Sequence, residues 1–280
     1  MNFFEAVLAT PLLQMALLAT LAASFAGGIL GSYVVVKRIV SMSGSISHSV
    51  LGGLGCALWL QRTYHLPWLL PIYGGVIAAV LSALIIGMVH LYARQREDTV
   101  IAMIWSLGMA AGIIFASQTP GYNVELMNFL LGNALWVNGV DLALLLGLDV
   151  VILVCVLIFH RSFLAICFDE KQAALQGLPV KKLYLLLLVL ISLSIVLLIH
   201  TVGIVLVLSM LALPPSIAEK FSHRLSTMMC IAVGLNMLFC LGGMGLSYRL
   251  DWPTGATIAL FSGGIYLLAM RFKKRETLRS

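Results

Sequence analysis

The sequence predicts an all-α membrane protein: a polytopic bundle of about nine (eight to nine) transmembrane helices, forming a single domain over residues 1–280. Three observations carry this. First, 61% of the residues are apolar and only 10% charged, against about 25% charged in ordinary soluble domains. Second, the apolar residues come in runs close to the roughly 20 that a spanning helix needs. Third, the period-2 alternation of a β-barrel is absent, which leaves helices as the way to satisfy backbone groups in lipid.

The expected spans are 12–36, 39–60, 67–92, 99–117, 140–160, 183–200, 202–218, 226–248 and 253–270. The seventh is short and reads equally as a broken or re-entrant helix. With the N-terminus outside and strict alternation, 15 of the 17 Lys and Arg residues fall on the inner side. Arg62 and Arg249 alone remain outside, the asymmetry that sets membrane orientation. Trp59, Tyr64, Trp68, Trp136, Tyr248 and Trp252 fall near the outer boundary, where amphipathic rings settle. The net charge of +6 is therefore inner-loop charge and does not point to nucleic acid. The basic tail Arg271–Arg279 suits the anionic headgroups of membrane lipids. The N-terminus lacks a basic n-region and a small-residue cleavage site, so the first helix is expected to stay as an anchor. Cys56, Cys155, Cys167, Cys230 and Cys240 form no C-x-x-C pair and read as packing residues, with Cys167 in an inner loop.

Two inner segments stand out. Arg161–Lys182 reads as a short amphipathic helix ended by Gly177 and Pro179. In Leu213–Arg224 the pair Pro214-Pro215 should break the helix at the membrane face, with the following residues lying across the cytosolic surface. No G-x-x-x-x-G-K-[ST], H-E-x-x-H or G-x-S-x-G occurs. The chain is therefore not expected to be an enzyme, and energy for active transport must come from a partner or an ion gradient.

The second span carries the chemistry. At about 100° per residue, Ser41, Gly44, Ser45, His48, Gly52, Gly55 and Cys56 gather on one face, with Ile46, Val50 and Leu54 opposite. A small-residue stripe can serve simple close packing of helices. His48 at its middle reads either as a cation ligand, since imidazole suits first-row metals, or as a neutral core residue bonded to a neighbour. Asp149, about nine residues into the fifth span, reads either as an ion-path residue or as half of a structural pair. Asp141 and Glu125 read as solvated rim residues. His200 lies at an outer span end; His90 and His160 lie at inner ends, where snorkelling suffices.

At these residues the sequence resembles the membrane permeases of zinc, manganese and iron ABC importers. The landmarks run in order over nearly the whole chain: Gly31–Arg38, Ser47-His48-Ser49, Glu97–Ile101, Asn128–Asn133, Phe168-Asp169 with Ala173 and Gly177-Leu178-Pro179, Val202–Val207 through Pro214-Pro215, and Pro253-Thr254-Gly255. The resemblance implies an ABC-importer permease in the inner membrane of a bacterium, N-terminus outside and C-terminus cytosolic. It implies two cytosolic ATP-binding subunits, a second permease copy or related permease, and an external metal-binding protein. His48, with Asp149, would handle the metal; Ser41, Gly44, Ser45 and Gly52 would line the path. Pro214, Pro215, Glu219 and Lys220 would belong to the segment that couples to the ATPase. No resident cofactor is implied, only a transported divalent metal. Many members of the family carry G-D-x-x-x-H in the second helix; here Gly44 stands at the Asp position. Loss of that oxygen donor leans the expectation toward Zn²⁺, then Mn²⁺ or Fe²⁺. The alternative is an ATPase-independent, proton-coupled carrier using Asp149 and His48 as a relay. A permease for a bulkier cargo, or a scaffold without transport, would leave the stripe a wider path or a packing seam.

Overall fold

A computed structural model describes residues 3–93, 97–120 and 137–271. Eleven helices form among them: α1 (Phe3–Ala9), α2 (Pro11–Val36), α3 (Val40–Thr63), α4 (Pro71–Tyr92), α5 (Glu97–Gln118), α6 (Gly139–Phe168), α7 (Glu170–Leu175), α8 (Val180–Val202), α9 (Ile204–Phe221), α10 (Leu225–Leu250) and α11 (Thr254–Arg271). Arg94, Arg96, Glu125, the Asn128–Asn133 motif, Trp136 and the tail Lys273–Arg279 lie outside the described residues.

The all-helical class holds, but the count differs from eight to nine. Seven of the eleven helices, α2, α4, α5, α6, α8, α9 and α10, are long and apolar enough to cross a membrane. Helices α1 and α7 have seven and six residues and are too short to span. α3 and α11 coincide with the second and ninth expected segments. Serines and glycines dilute α3, and α11 has 18 residues and ends on Arg271. At 30 residues α6 reaches roughly 45 Å, well past a ~30 Å hydrocarbon core. It thereby takes Cys167, expected in a loop, into its last turn, where the thiol is buried.

The interior is built around α2, α8 and α9, with α3, α4 and α10 packed against them. Tyr33, Phe163, Tyr184, Leu30, Met42 and Ile46 are among its fully buried side chains. α5 and α6 instead leave most of their apolar surface open, for example Leu107, Ile113, Leu157 and Ile158, which suits a hydrocarbon environment rather than water. Backbones approach closely where glycines meet: Gly53 of α3 lies against Gly74 of α4, and Gly28 of α2 against the Val233 backbone of α10. α8 ends and α9 begins at the single residue Gly203, whose φ of 86° only glycine adopts readily. Asp141 acts as more than a rim residue. With Asn138 it forms a reciprocal capping box at the start of α6, and its Oδ1 lies 3.6 Å from His200 Nδ1.

The expected helix break at Pro214-Pro215 does not occur. α9 runs through both prolines, and both are buried. A proline inside a helix strips the hydrogen bond from the carbonyl four residues back. Pro214 thus frees Met210 O, and buried Asn236 of α10 donates its Nδ2–H to that oxygen at 3.2 Å. Pro215 frees Leu211 O, which faces the bare Cα of Gly31. Neighbouring helices cover the freed carbonyls, so the chain has no need to unwind.

Candidate functional site

The small-residue face of α3 is turned mainly toward α5. Gly52 and Gly55 meet the backbones of Gly108 and Gly112, one helical turn apart on α5. Ser45 is fully buried and its Oγ donates to the Ile101 carbonyl of α5 at 2.8 Å. Ser45 and Gly52, expected to line a path, therefore form part of a closed α3–α5 seam. Ser41 is exposed in the first turn of α3.

His48 lies on the same seam. Its imidazole is stacked on the indole of Trp105, with ring centroids 4.5 Å apart and planes 13° from parallel. Its Nδ1 is buried and has no hydrogen-bond partner among the described residues. Such a group is costly unless something outside the chain completes it. Gly44, one turn away, faces Trp105 and Leu208; a Cβ there would stand 3.7 Å from the indole.

Asp149 does not join this group. It projects from α6 beside the Ala26 backbone of α2, and its Oδ1 is also buried without a partner. The imidazole and the carboxylate are thus held by two different helix pairs, α3–α5 and α2–α6. Among the described residues no cluster of three or more His, Cys, Asp or Glu side chains could hold a metal. The α3–α5 seam thus holds a single imidazole.

A second polar centre, where the ends of α2 and α4 meet the starts of α5 and α7, went unread in the sequence. Lys37 at the end of α2 donates to Glu170 Oε1 at 2.6 Å and to the Ile166 carbonyl at 2.6 Å. His90 Nε2 lies 3.1 Å from the same Glu170 oxygen, and its Nδ1 lies 2.8 Å from Glu97 Oε2. With a carboxylate on each ring nitrogen, the imidazole donates on both sides. His90 also packs on the ring of buried Tyr184, 4.6 Å between centroids. The hydrogen bond from His90, and then that from Lys37, hold Glu170 far below the usual carboxylate range, at about 2. His90 is therefore an ion-pair residue rather than a snorkelling one. His160 likewise bonds Tyr33 Oη at 3.0 Å. Glu170 follows Asp169, whose side chain caps α7 through the Lys171 and Gln172 amides.

Of the residues expected to couple to an ATPase, Pro214 and Pro215 are buried within α9, Glu219 is exposed, and Lys220 is partly covered, its Nζ 5.7 Å over the Tyr266 ring. Glu219 borders an open cleft of about 490 Å³, lined also by Lys37, Arg38, Phe168, His223 and Arg224. Phe168, which ends α6, and Leu175, which ends α7, are 75% and 88% exposed.

The model of one family, the ABC 3 transport family, matches residues 9–273. The chain belongs to that family. It is a membrane permease of the ABC importer type, a transport component, as the ordered motifs suggested. Among ABC 3 relatives, a probable metal transport system membrane protein of Chlamydia pneumoniae is 50% identical, over 92% of this chain and 88% of that one. The manganese transport system membrane protein MntC of Halalkalibacterium halodurans is 32% identical, over 98% and 91%. Among solved structures, PsaBC from Streptococcus pneumoniae in complex with Fab superposes with a TM-score of 0.83 at 26% identity, covering 96% of this chain and 94% of that one. The long helices and the kinship together make the chain a multi-pass membrane protein.

Proposed function

We propose that this permease carries a divalent first-row transition metal across a bacterial inner membrane, with His48 as its transient ligand. The observation that carries the reading is the buried, unpartnered Nδ1 of His48. Imidazole is a good donor for such ions, and a single weak site per chain permits release. Two His48 residues facing one another across a permease pair would give a nitrogen-rich site. That donor set favours zinc, with manganese or iron next, and the metal-transport names of the relatives fit the same class of cargo.

The chain lacks a phosphate-cradling loop, so ATP binding and hydrolysis fall to two cytosolic subunits. The inner cleft beside Glu219, lined also by exposed Phe168, is the surface we assign to them. An external metal-binding protein delivers the ion on the opposite side, where the N-terminus lies, and the C-terminus is cytosolic. A proton relay through Asp149 and His48 would need both in one path, and they sit in separate seams. The test is metal uptake by the complete transporter bearing His48→Ala. Uptake falls to background while the complex still assembles; uptake at the unaltered rate removes the site assignment.

A further inference from the structure

Trp105 was not singled out by the sequence, yet it is the residue that holds the His48 ring. The two planes lie 13° apart at 4.5 Å, a face-to-face contact that fixes ring orientation as well as position. Among the described residues no hydrogen bond to Nδ1 does so. An imidazole free to turn about its Cα–Cβ and Cβ–Cγ bonds would present its nitrogens in several directions. Against the indole its nitrogens are held in one plane, parallel to the indole face. The backbone supports this clamp at two points. Gly108 of α5, one turn beyond Trp105, leaves the space that lets α5 approach Ser49 and the His48 carbonyl. Gly44 leaves open the space beside the indole edge, where a Cβ would just touch at 3.7 Å and a longer side chain would push the ring aside. Trp105 is itself 39% exposed, so it borders the open surface of α5 as well as packing in the interior.

We propose that Trp105 is a positioning residue for metal binding: its indole face orients the His48 imidazole for the passing ion, and Gly44 keeps the place of that indole clear. This rests on the reading of His48 as the metal's ligand. A ligand held in its bound geometry loses less freedom on binding, so loss of the clamp weakens half-saturation more than it slows turnover.

The experiment measures Zn²⁺ uptake in proteoliposomes containing the complete transporter, normalised to assembled complex, with Trp105→Phe, Trp105→Leu and His48→Ala. Phe keeps a flat face and is expected to stay within about threefold of the unaltered half-saturating concentration. Leu fills much of the space without a face and is expected to raise it about tenfold, with the maximal rate within about twofold. If Leu and Phe behave alike at equal assembly, Trp105 only packs and the inference falls. The His48→Ala arm separates the two readings. If His48→Ala abolishes uptake and Trp105→Leu leaves half-saturation unchanged, the clamp is refuted and the ligand stands. If His48→Ala leaves uptake intact, the ligand reading and the clamp fall together.

Discussion

Gly108→Ala tests whether the α3–α5 seam is as tight as its glycines require. A Cβ at Gly108 would lie 2.5 Å from Ser49 Cα, 3.0 Å from Ser49 N and 3.1 Å from His48 O. All three are backbone atoms of α3, which cannot rotate away. The shortfall from ordinary contact is about 0.9 Å, so the helices must separate or bend by that order. Overpacking of this kind costs about 1–3 kcal/mol. Alanine also improves helix propensity by about 1 kcal/mol over glycine, which would mask part of the loss. Gly263→Ala supplies the correction: α11 has nothing within 4 Å of a Cβ at that position, so only the propensity gain remains. Reversible unfolding in mixed micelles should place Gly108→Ala about 1–3 kcal/mol below Gly263→Ala. Uptake should fall only in Gly108→Ala, because the strain is released next to His48. Equal unfolding free energies and equal uptake in the two variants would show that the seam is loose and that its geometry does not set the site.

Asp149→Asn should lower uptake if the carboxylate lines the path; a rate like that of the unaltered protein would leave it as a structural partner of α2, read out as a change in unfolding alone. Glu219→Lys, at the inner cleft, should leave ATP hydrolysis running while metal uptake falls; unchanged coupling would move the ATPase contact elsewhere on the face. Glu170→Gln should remove a pH-dependent part of stability. The folded carboxyl titrates near 2 and an unperturbed one near 4.3, so its contribution is fully present above about 4.3 and is lost as pH falls toward 2. Unfolding followed from pH 6 down to 2.5 should show that slope in the unaltered protein and a shallower one in Glu170→Gln.

The spans were legible because hydropathy over some twenty residues depends on composition alone. α4, α5, α8 and α10 begin or end within a few residues of their expected limits. α3 shows where that reasoning weakens. The serines and glycines that made its face notable also lower its hydropathy, since a helix enclosed by others need not be oily all round. The prolines of α9 misled for a related reason. A local rule says that Pro214 breaks a helix, but the Asn236 amide that satisfies Met210 O comes from another helix. Trp105 and Glu170 escaped because their partners, His48 and the pair His90 and Lys37, are distant in sequence. Nothing at either position marks the partner that folding brings to it. His48 was found because its own helix surrounds it with residues too small to hide it.

The two polar centres are held by different kinds of contact. The α3–α5 seam sets glycine against backbone and is crossed by the Ser45 bond to Ile101 O and by the His48–Trp105 and Trp59–Phe115 ring contacts. The helix ends around α7 are tied instead by charge-assisted bonds, Lys37 to Glu170 and His90 to Glu170 and Glu97, which are strong and directional. Glu97 opens α5, and Trp105 sits two turns further along it, about 12 Å away. Glu170 of α7 is thus linked through His90 and Glu97 to the first turn of the helix that carries Trp105, the residue stacked on His48.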